Sequence, residues 1–179
     1  MDVDQAVEIE VAAILDWLLS PTYDADREKS DDDPFDSDPA TFDLVMIGQK
    51  AVPQILERLP KKPGHLVRVL GLIGDPRAVE PLVNMLKDPL HQELDEVIVG
   101  VLGEIGDPRA LDEMLIRVRL SSPAALEAVL KIDHPKTRIM LENIVNNLDN
   151  SDRLRRKVTE GLKRFPLPKE RDRRFIRKP

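Results

Sequence analysis

The stretch Leu70-Gly71-Leu72-Ile73-Gly74-Asp75-Pro76-Arg77-Ala78-Val79-Glu80-Pro81-Leu82 returns 32 positions later as Leu102-Gly103-Glu104-Ile105-Gly106-Asp107-Pro108-Arg109-Ala110-Leu111. A fixed period of that size marks a stacked repeat. Leu70 and Ile73, like Leu102 and Ile105, stand three apart and so share one helix face. Gly74 and Gly106 follow the last apolar residue, where a helix ends in a left-handed conformation that a side chain resists. Asp75 and Asp107 then fall at the N-cap, where a carboxylate accepts from free backbone N–H groups. Pro76 and Pro108 occupy the first position of the next helix, where a missing N–H costs nothing. Ile-Gly-Asp-Pro-Arg-Ala is therefore a stop, a cap and a start, and it predicts a helical hairpin with almost no loop. Gly71 and Gly103 lie inside their helices and weaken them by roughly 1 kcal/mol each relative to Ala. Close approach of a neighbouring helix is the compensation they imply.

Working outward, one hairpin pairs helices near 64–73 and 76–87, and the next pairs 91–105 with 108–119. Val79, Leu82, Val83 and Leu86 face inward on the second helix of the first pair, and Leu111, Met114, Leu115 and Val118 on that of the next. Residues 41–60 read as a degenerate first repeat, with Phe42, Val45, Met46, Ile47-Gly48, Ala51-Val52-Pro53 and Leu56. Pro123 opens a shorter fourth repeat whose corner reads Asp133-His134-Pro135, so His134 stands where Asp107 stood and the turn is expected to differ. A last helix is expected over 151–165, with Leu154, Val158, Leu162 and Phe165 inward. Upstream, Val3, Ala6, Val7, Ile9, Ala13, Ile14, Trp17 and Leu18 predict an amphipathic helix over 3–19. Its role is to cap the stack, or else to dock a partner with Trp17 as anchor. Each hairpin is apolar on more than one side, and stacking removes those faces from water. The chain thus divides into an N-terminal capping helix (1–20), an acidic disordered loop (21–40), a solenoid (41–165) and a basic C-terminal tail (166–179). The fold class is all-α: a short α-solenoid, or alpha-alpha superhelix, of about four hairpins.

Composition sets further bounds. The 179 residues suffice for one domain with a continuous core, and only 3% of them are aromatic, so Leu, Ile, Val and Ala must fill it. With no Cys, neither a disulfide framework nor a Cys-based metal site is possible, and a cytoplasmic location is expected. Asp2, Asp4, Glu8 and Glu10 precede the first apolar run, which does not suit a signal peptide. No apolar run approaches the ~18 residues of a membrane span, so no membrane partner is expected. The net charge of −6 hides a polarity: residues 153–179 carry twelve basic and three acidic groups, a net +9, which leaves −15 for the remainder. Asp31, Asp33 and Asp36 crowd the acidic loop, but without the central Gly and distal Glu of a calcium-binding loop they read as a solvated stretch.

The repeated corner resembles the HEAT-like repeat of the phycobilisome-lyase type, whose signature is L-G-x-I-G-D-P-R-A-V-x-x-L. The match is strongest over 64–88 and 94–118. The resemblance implies an armadillo-type fold that offers surfaces for protein binding, as in scaffolds; the same repeat builds bilin lyase subunits and deoxyhypusine hydroxylase. That hydroxylase binds iron through His-Glu pairs at the start of its first helices. The corresponding places here read His65-Leu66 and, roughly, Asp95-Glu96. No His-Glu dipeptide occurs, and His65, His91 and His134 fall in different repeats, so each is read as a turn or helix-start histidine.

No phosphate-binding glycine loop, dinucleotide fingerprint or nucleophile elbow is present. We expect no catalytic residues, no cofactor and no metal. Asp75 and Asp107 are explained by capping. Arg77 and Arg109, one period apart, are expected to lie side by side and bridge to a neighbouring repeat's aspartate; the alternative is an arginine row for an acidic ligand. The leading function is a non-enzymatic scaffold, adaptor or assembly factor that binds another protein through its inner, second-helix face. Helix phase nominates Arg77, Glu80, Asn84, Lys87, Asp112, Glu113, Arg117 and Arg119 for that contact. One alternative is a bilin lyase-like or phycobilisome-handling subunit. Another is a nucleic-acid or ribosome-associated protein, with Arg153, Arg155, Arg156, Lys157, Arg171, Arg173, Arg174 and Arg177 meeting an anionic partner and Phe165 and Phe175 available for stacking. The lesser alternatives for the basic tail are folding back on the acidic surface and staying solvated without a partner.

Overall fold

The computed structural model describes residues 2–21, 23, 38–120, 122–147 and 152–163. Every regular element among them is helical. In chain order they are α1 (Val3–Leu18), α2 (Pro39–Ile47), α3 (Val52–Arg58), α4 (Pro63–Ile73), α5 (Val79–Lys87), α6 (Asp95–Ile105), α7 (Leu111–Arg119), α8 (Pro123–Lys131), α9 (Pro135–Asn147) and α10 (Asp152–Leu162). Four hairpins, α2–α3, α4–α5, α6–α7 and α8–α9, succeed one another, and the fold is the all-α, HEAT-like solenoid that the period predicts.

The corners carry the chemistry expected of them. Gly74 and Gly106 end α4 and α6 at φ 69° and 72°, both left-handed. Asp75 and Asp107 each accept from the backbone N–H two residues on, at 2.8 Å. Beyond the cap comes one turn of 3-10 helix, Pro76–Ala78 and Pro108–Ala110, before the α-helix proper. The third hairpin likewise opens with the 3-10 segment Pro89–Leu94, so α6 starts later than the expected position 91.

The rule extends beyond the two quoted stretches. Asp38, Asp88, Ser122 and His134 also stand before a proline and also accept from a backbone N–H two or three residues on. Proline drives its predecessor into extended backbone, which is the conformation an N-cap needs. At the fourth hairpin the acceptor is a ring nitrogen, His134 Nδ1, 3.2 Å from Lys136 N. The Thr137 hydroxyl adds a bond to the Ile132 carbonyl where the other corners use glycine.

First helices stack in a row, α2 on α4, α4 on α6 and α6 on α8. Glycines permit the closeness. A Cβ at Gly71 would lie 2.8 Å from a Val101 methyl of α6, and one at Gly103 would lie 2.7 Å from the Ala128 Cβ of α8. Gly161 of α10 meets Leu130 of α8 in the same manner. The core runs unbroken through Leu44, Ile55, Leu66, Leu70, Leu82, Ile98, Leu102, Leu111, Met114, Val129 and Leu141.

Both ends of the row are covered. α1 lies across α2 and α3, and α10 packs on α9. The apolar face of α1 matches expectation in part, with Leu18 buried and Val7 and Ile14 packed against the core. Val11, Leu15 and Leu18 are its buried residues, whereas Val3, Ile9 and Trp17 are exposed. In α2, Leu44 is buried while Phe42 and Met46 point outward. Both elements carry apolar residues on two faces, and the sequence pattern alone does not say which face the rest of the stack will cover. Phe165, most of the acidic loop and all of the basic tail lie outside the described residues.

Candidate protein-binding face

The second helices α5 and α7 bury Val79, Leu82 and Leu86, and Leu111, Met114, Leu115 and Val118. Helical phase then turns Glu80, Asn84 and Lys87 outward on α5, and Asp112, Ile116 and Arg119 outward on α7. Each member of one set stands 32 positions from its counterpart in the other. The face therefore presents two rows in register, an acid in the first turn of each helix and a base in the last. This order also complements the helix dipole, so structural benefit alone accounts for the charges. Ile116 is not explained that way. Its side chain is 47% exposed, with Leu120 beyond it more exposed still. A search for charged contact residues by helix phase passes over Ile116 because it is apolar; the inward set Leu111, Met114, Leu115 and Val118 already leaves it outside.

Two nominated residues, Glu113 and Arg117, are drawn in between the helices. Arg117 is largely buried: it donates to Glu113 and to the Leu86 carbonyl at the end of α5, and its Nε lies 3.5 Å from Asp95. Glu113 is its partner across one helical turn. The pair is part of the seam between repeats rather than of the outer rows.

Arg77 and Arg109 do form a ladder, with a different rung from the one expected. Each guanidinium pairs with its own repeat's aspartate, at 2.8 Å for Arg77 with Asp75 and 2.9 Å for Arg109 with Asp107. The reach to the preceding repeat goes to a backbone carbonyl: Arg77 Nη2 donates to Gln49 O and Arg109 Nη2 to Pro76 O. Arg109 also meets Glu80 at 3.3 Å. Lys50, at the same place in the first hairpin, reaches back to Asp4 of α1 at 2.8 Å. A planar fork holds its own carboxylate and a neighbour's carbonyl together, which a neighbouring aspartate would not require. The hydrogen bonds from the Arg77 and Arg109 side chains hold the Asp75 and Asp107 carboxyls below the ordinary carboxylate range.

A buried polar cluster is not legible in the sequence. Asp38 accepts from the Tyr23 hydroxyl at 2.8 Å, from the Thr41 hydroxyl at 2.7 Å and from the backbone N–H groups of Ala40 and Thr41. His65 Nε2 lies 2.9 Å from Thr41 Oγ1, and the Lys62 ammonium sits over the Tyr23 ring at 4.4 Å. Since the Thr41 proton goes to Asp38, His65 donates from Nε2. Burial pushes the Asp38 carboxyl up, but the bonds from Thr41 and Tyr23 outweigh it and leave the group below its ordinary value. Tyr23, Asp38, Thr41 and His65 are all buried, and the cluster ties the end of α1 to α2 and α4. Its residues are scattered over some forty positions, and only the fold collects them.

Exposed apolar groups also occur on the first-helix side. Met46, Leu72, Glu104 and Lys131 occupy one repeat position, each just before an isoleucine at a helix end. Met46 and Leu72 are exposed there, with Phe42 a turn away from Met46, while Glu104 and Lys131 form an ion pair.

On α10 the structure places Arg155, Arg156 and Lys157 at the surface. The side chain of Arg153, and Arg171, Arg173, Arg174 and Arg177, lie outside the described residues. Among the described residues, no group of three or more His, Asp or Glu could hold a metal ion, and no helix is long and apolar enough to cross a membrane.

Fold and face together define an α-solenoid whose helical hairpins present in-register surfaces. Residues 50–123 match the family model for HEAT repeats, a span that runs from the corner before α3 to the first residue of α8. No curated protein matches the chain.

Proposed function

We propose that this protein is a non-enzymatic binding module that takes another protein on the α5–α7 face, with Ile116 as the apolar centre and Glu80, Asn84, Lys87, Asp112 and Arg119 around it. HEAT repeats generally mediate protein–protein interaction, which supports the class of function. The observation that carries the choice of face is the exposed Ile116 set among charges in register on two neighbouring helices. An apolar centre within a polar rim is how binding energy is usually concentrated. Arg77 lies at the edge of this face, engaged with Asp75 and Gln49.

A second reading places the partner on the first-helix side. It is favoured by the outward Phe42, Met46 and Leu72. Two variants separate the readings. Ile116→Asp is expected to reduce capture of a partner from source lysate at least tenfold with helicity and melting temperature unchanged, while Met46→Asp leaves capture intact. The reverse pattern transfers the site to the first helices. Capture unchanged by both sinks both faces.

The finer resemblance to the phycobilisome-lyase type rests on the shared Leu-Gly-x-Ile-Gly-Asp-Pro-Arg-Ala core, which is a structural corner. A bilin whose absorbance is unchanged on stoichiometric mixing would remove the bilin-handling reading.

A further inference from the structure

Of the two covered ends of the stack, the α1 end does not look like an ordinary cap. A terminal helix that only closes a solenoid shows water a polar outer surface. α1 instead exposes Val3 (71%), Ile9 (59%) and Trp17 (45%). Ile9, Ala13 and Trp17 are four apart and form one exposed row, with Asp2 and Glu10 beside it. α1 contains four acidic residues and no basic one. Lys50 and Arg58 approach Asp4 and Asp16 from α2–α3, which leaves the outer row acidic and apolar. At the other end, α10 turns Leu154, Val158 and Gly161 inward. Its opposite side is a shallow surface lined by Arg155, Arg156, Thr159, Glu160 and Lys163.

We propose that the acidic, apolar outer face of α1 receives the basic outer face of α10 from a second copy of this chain, so that the protein associates head to tail. The two faces are opposite in charge and lie at opposite ends of one stack, so the contact is heterologous and each copy keeps one unused end. The chemistry is complementary in detail. Arginine and lysine stems cover apolar side chains while their charged heads stay wet. A guanidinium over the exposed indole of Trp17 adds a cation–π contact, and Glu10 and Asp2 meet the remaining charges. The contact also continues the way the repeats stack within the chain, helix layer on helix layer.

The test uses two charge-reversed full-length proteins. In one the head is blocked by Asp2→Arg with Glu10→Arg; in the other the tail is blocked by Arg155→Glu with Arg156→Glu. Sedimentation equilibrium of the wild type at low salt, after nuclease treatment, is expected to show a mass that rises with concentration past the dimer and falls in high salt. Each blocked variant alone is expected to be monomeric at the same concentrations. Mixed in equal amounts they are expected to give a dimer and nothing larger, because one intact head and one intact tail remain. Trp17 is the single tryptophan, so its emission should shift to the blue as wild-type copies associate. Circular dichroism establishes that the variants are folded. A wild type that stays monomeric at low salt overturns the proposal. So does association that survives in either variant alone, or association that occurs only when nucleic acid is added back, which would assign the basic end to phosphate binding instead.

Discussion

At the scale of single residues, three glycines separate the reasons for having glycine. A Cβ at Gly103 would meet the Ala128 backbone, with the Cα at 2.8 Å, and backbone cannot rotate away. At Gly71 it would meet only the Val101 side chain, and at Gly100 nothing lies within 4 Å. Gly103→Ala is therefore expected to destabilise by about 1–3 kcal/mol, Gly71→Ala by less, and Gly100→Ala to stabilise by about 0.5–1 kcal/mol through helix propensity. Urea unfolding of the three variants checks the order. Asp38 gives a pH-dependent counterpart. Its folded-state carboxyl lies below the ordinary value of 3.8, so its contribution is fully present above that value and is lost as pH falls through the folded one. Asp38→Asn should lower the melting temperature at neutral pH, and the gap to the wild type should close as the solution is acidified below that range. A gap that stays constant with pH would mean that the charge is not what the Tyr23 and Thr41 bonds stabilise.

At the scale of elements, the proline corner is the repeated device. Six residues that precede a proline cap the helical turn after them, and only one of the six, His134, is not Asp or Ser. Aspartate is among the preferred N-caps, and histidine is not. His134→Asp is thus expected to raise stability by up to about 1 kcal/mol, read as an increase in urea midpoint at unchanged slope; a decrease would show that the imidazole has packing that an aspartate cannot replace. The corner was fully legible in the two quoted stretches, where Gly, Asp and Pro each have one geometric use. The arginine rung was legible only in part. The spacing of Arg77 and Arg109 announces a ladder, but a sequence does not reveal a carbonyl acceptor, since every residue has one.

At the scale of the whole molecule, stability should vary along the stack. Among the described residues, α6 is covered on both sides by first helices and α10 on one side only. Leu102→Ala, in the middle, is expected to cost about 2–5 kcal/mol and to lower hydrogen-exchange protection in the hairpins on either side. Val158→Ala in α10 should weaken protection at that end while leaving α4–α7 near the wild-type level. Equal loss everywhere from both variants would mean that the chain unfolds only as a unit. The same asymmetry explains why the ends are where a second copy is proposed to add on: among the described helices, the terminal layers have a neighbour on one side only.

By itself the sequence determined the local geometry. Apolar spacing of three and four, glycine where a left-handed stop is needed, and a capping side chain before proline are each short-range requirements, and a repeat states them twice. Tertiary structure decided everything that depends on which of two faces is covered. α1 and α2 are apolar on more than one side, and only the layer they lie on chose Val11, Leu15 and Leu44 for the interior and left Trp17, Phe42 and Met46 in water. The gathering of Tyr23, Asp38, Thr41 and His65 and the withdrawal of Arg117 into the seam were likewise set by stacking, because contacts between residues 15 to 31 positions apart exist only once the layers have come together.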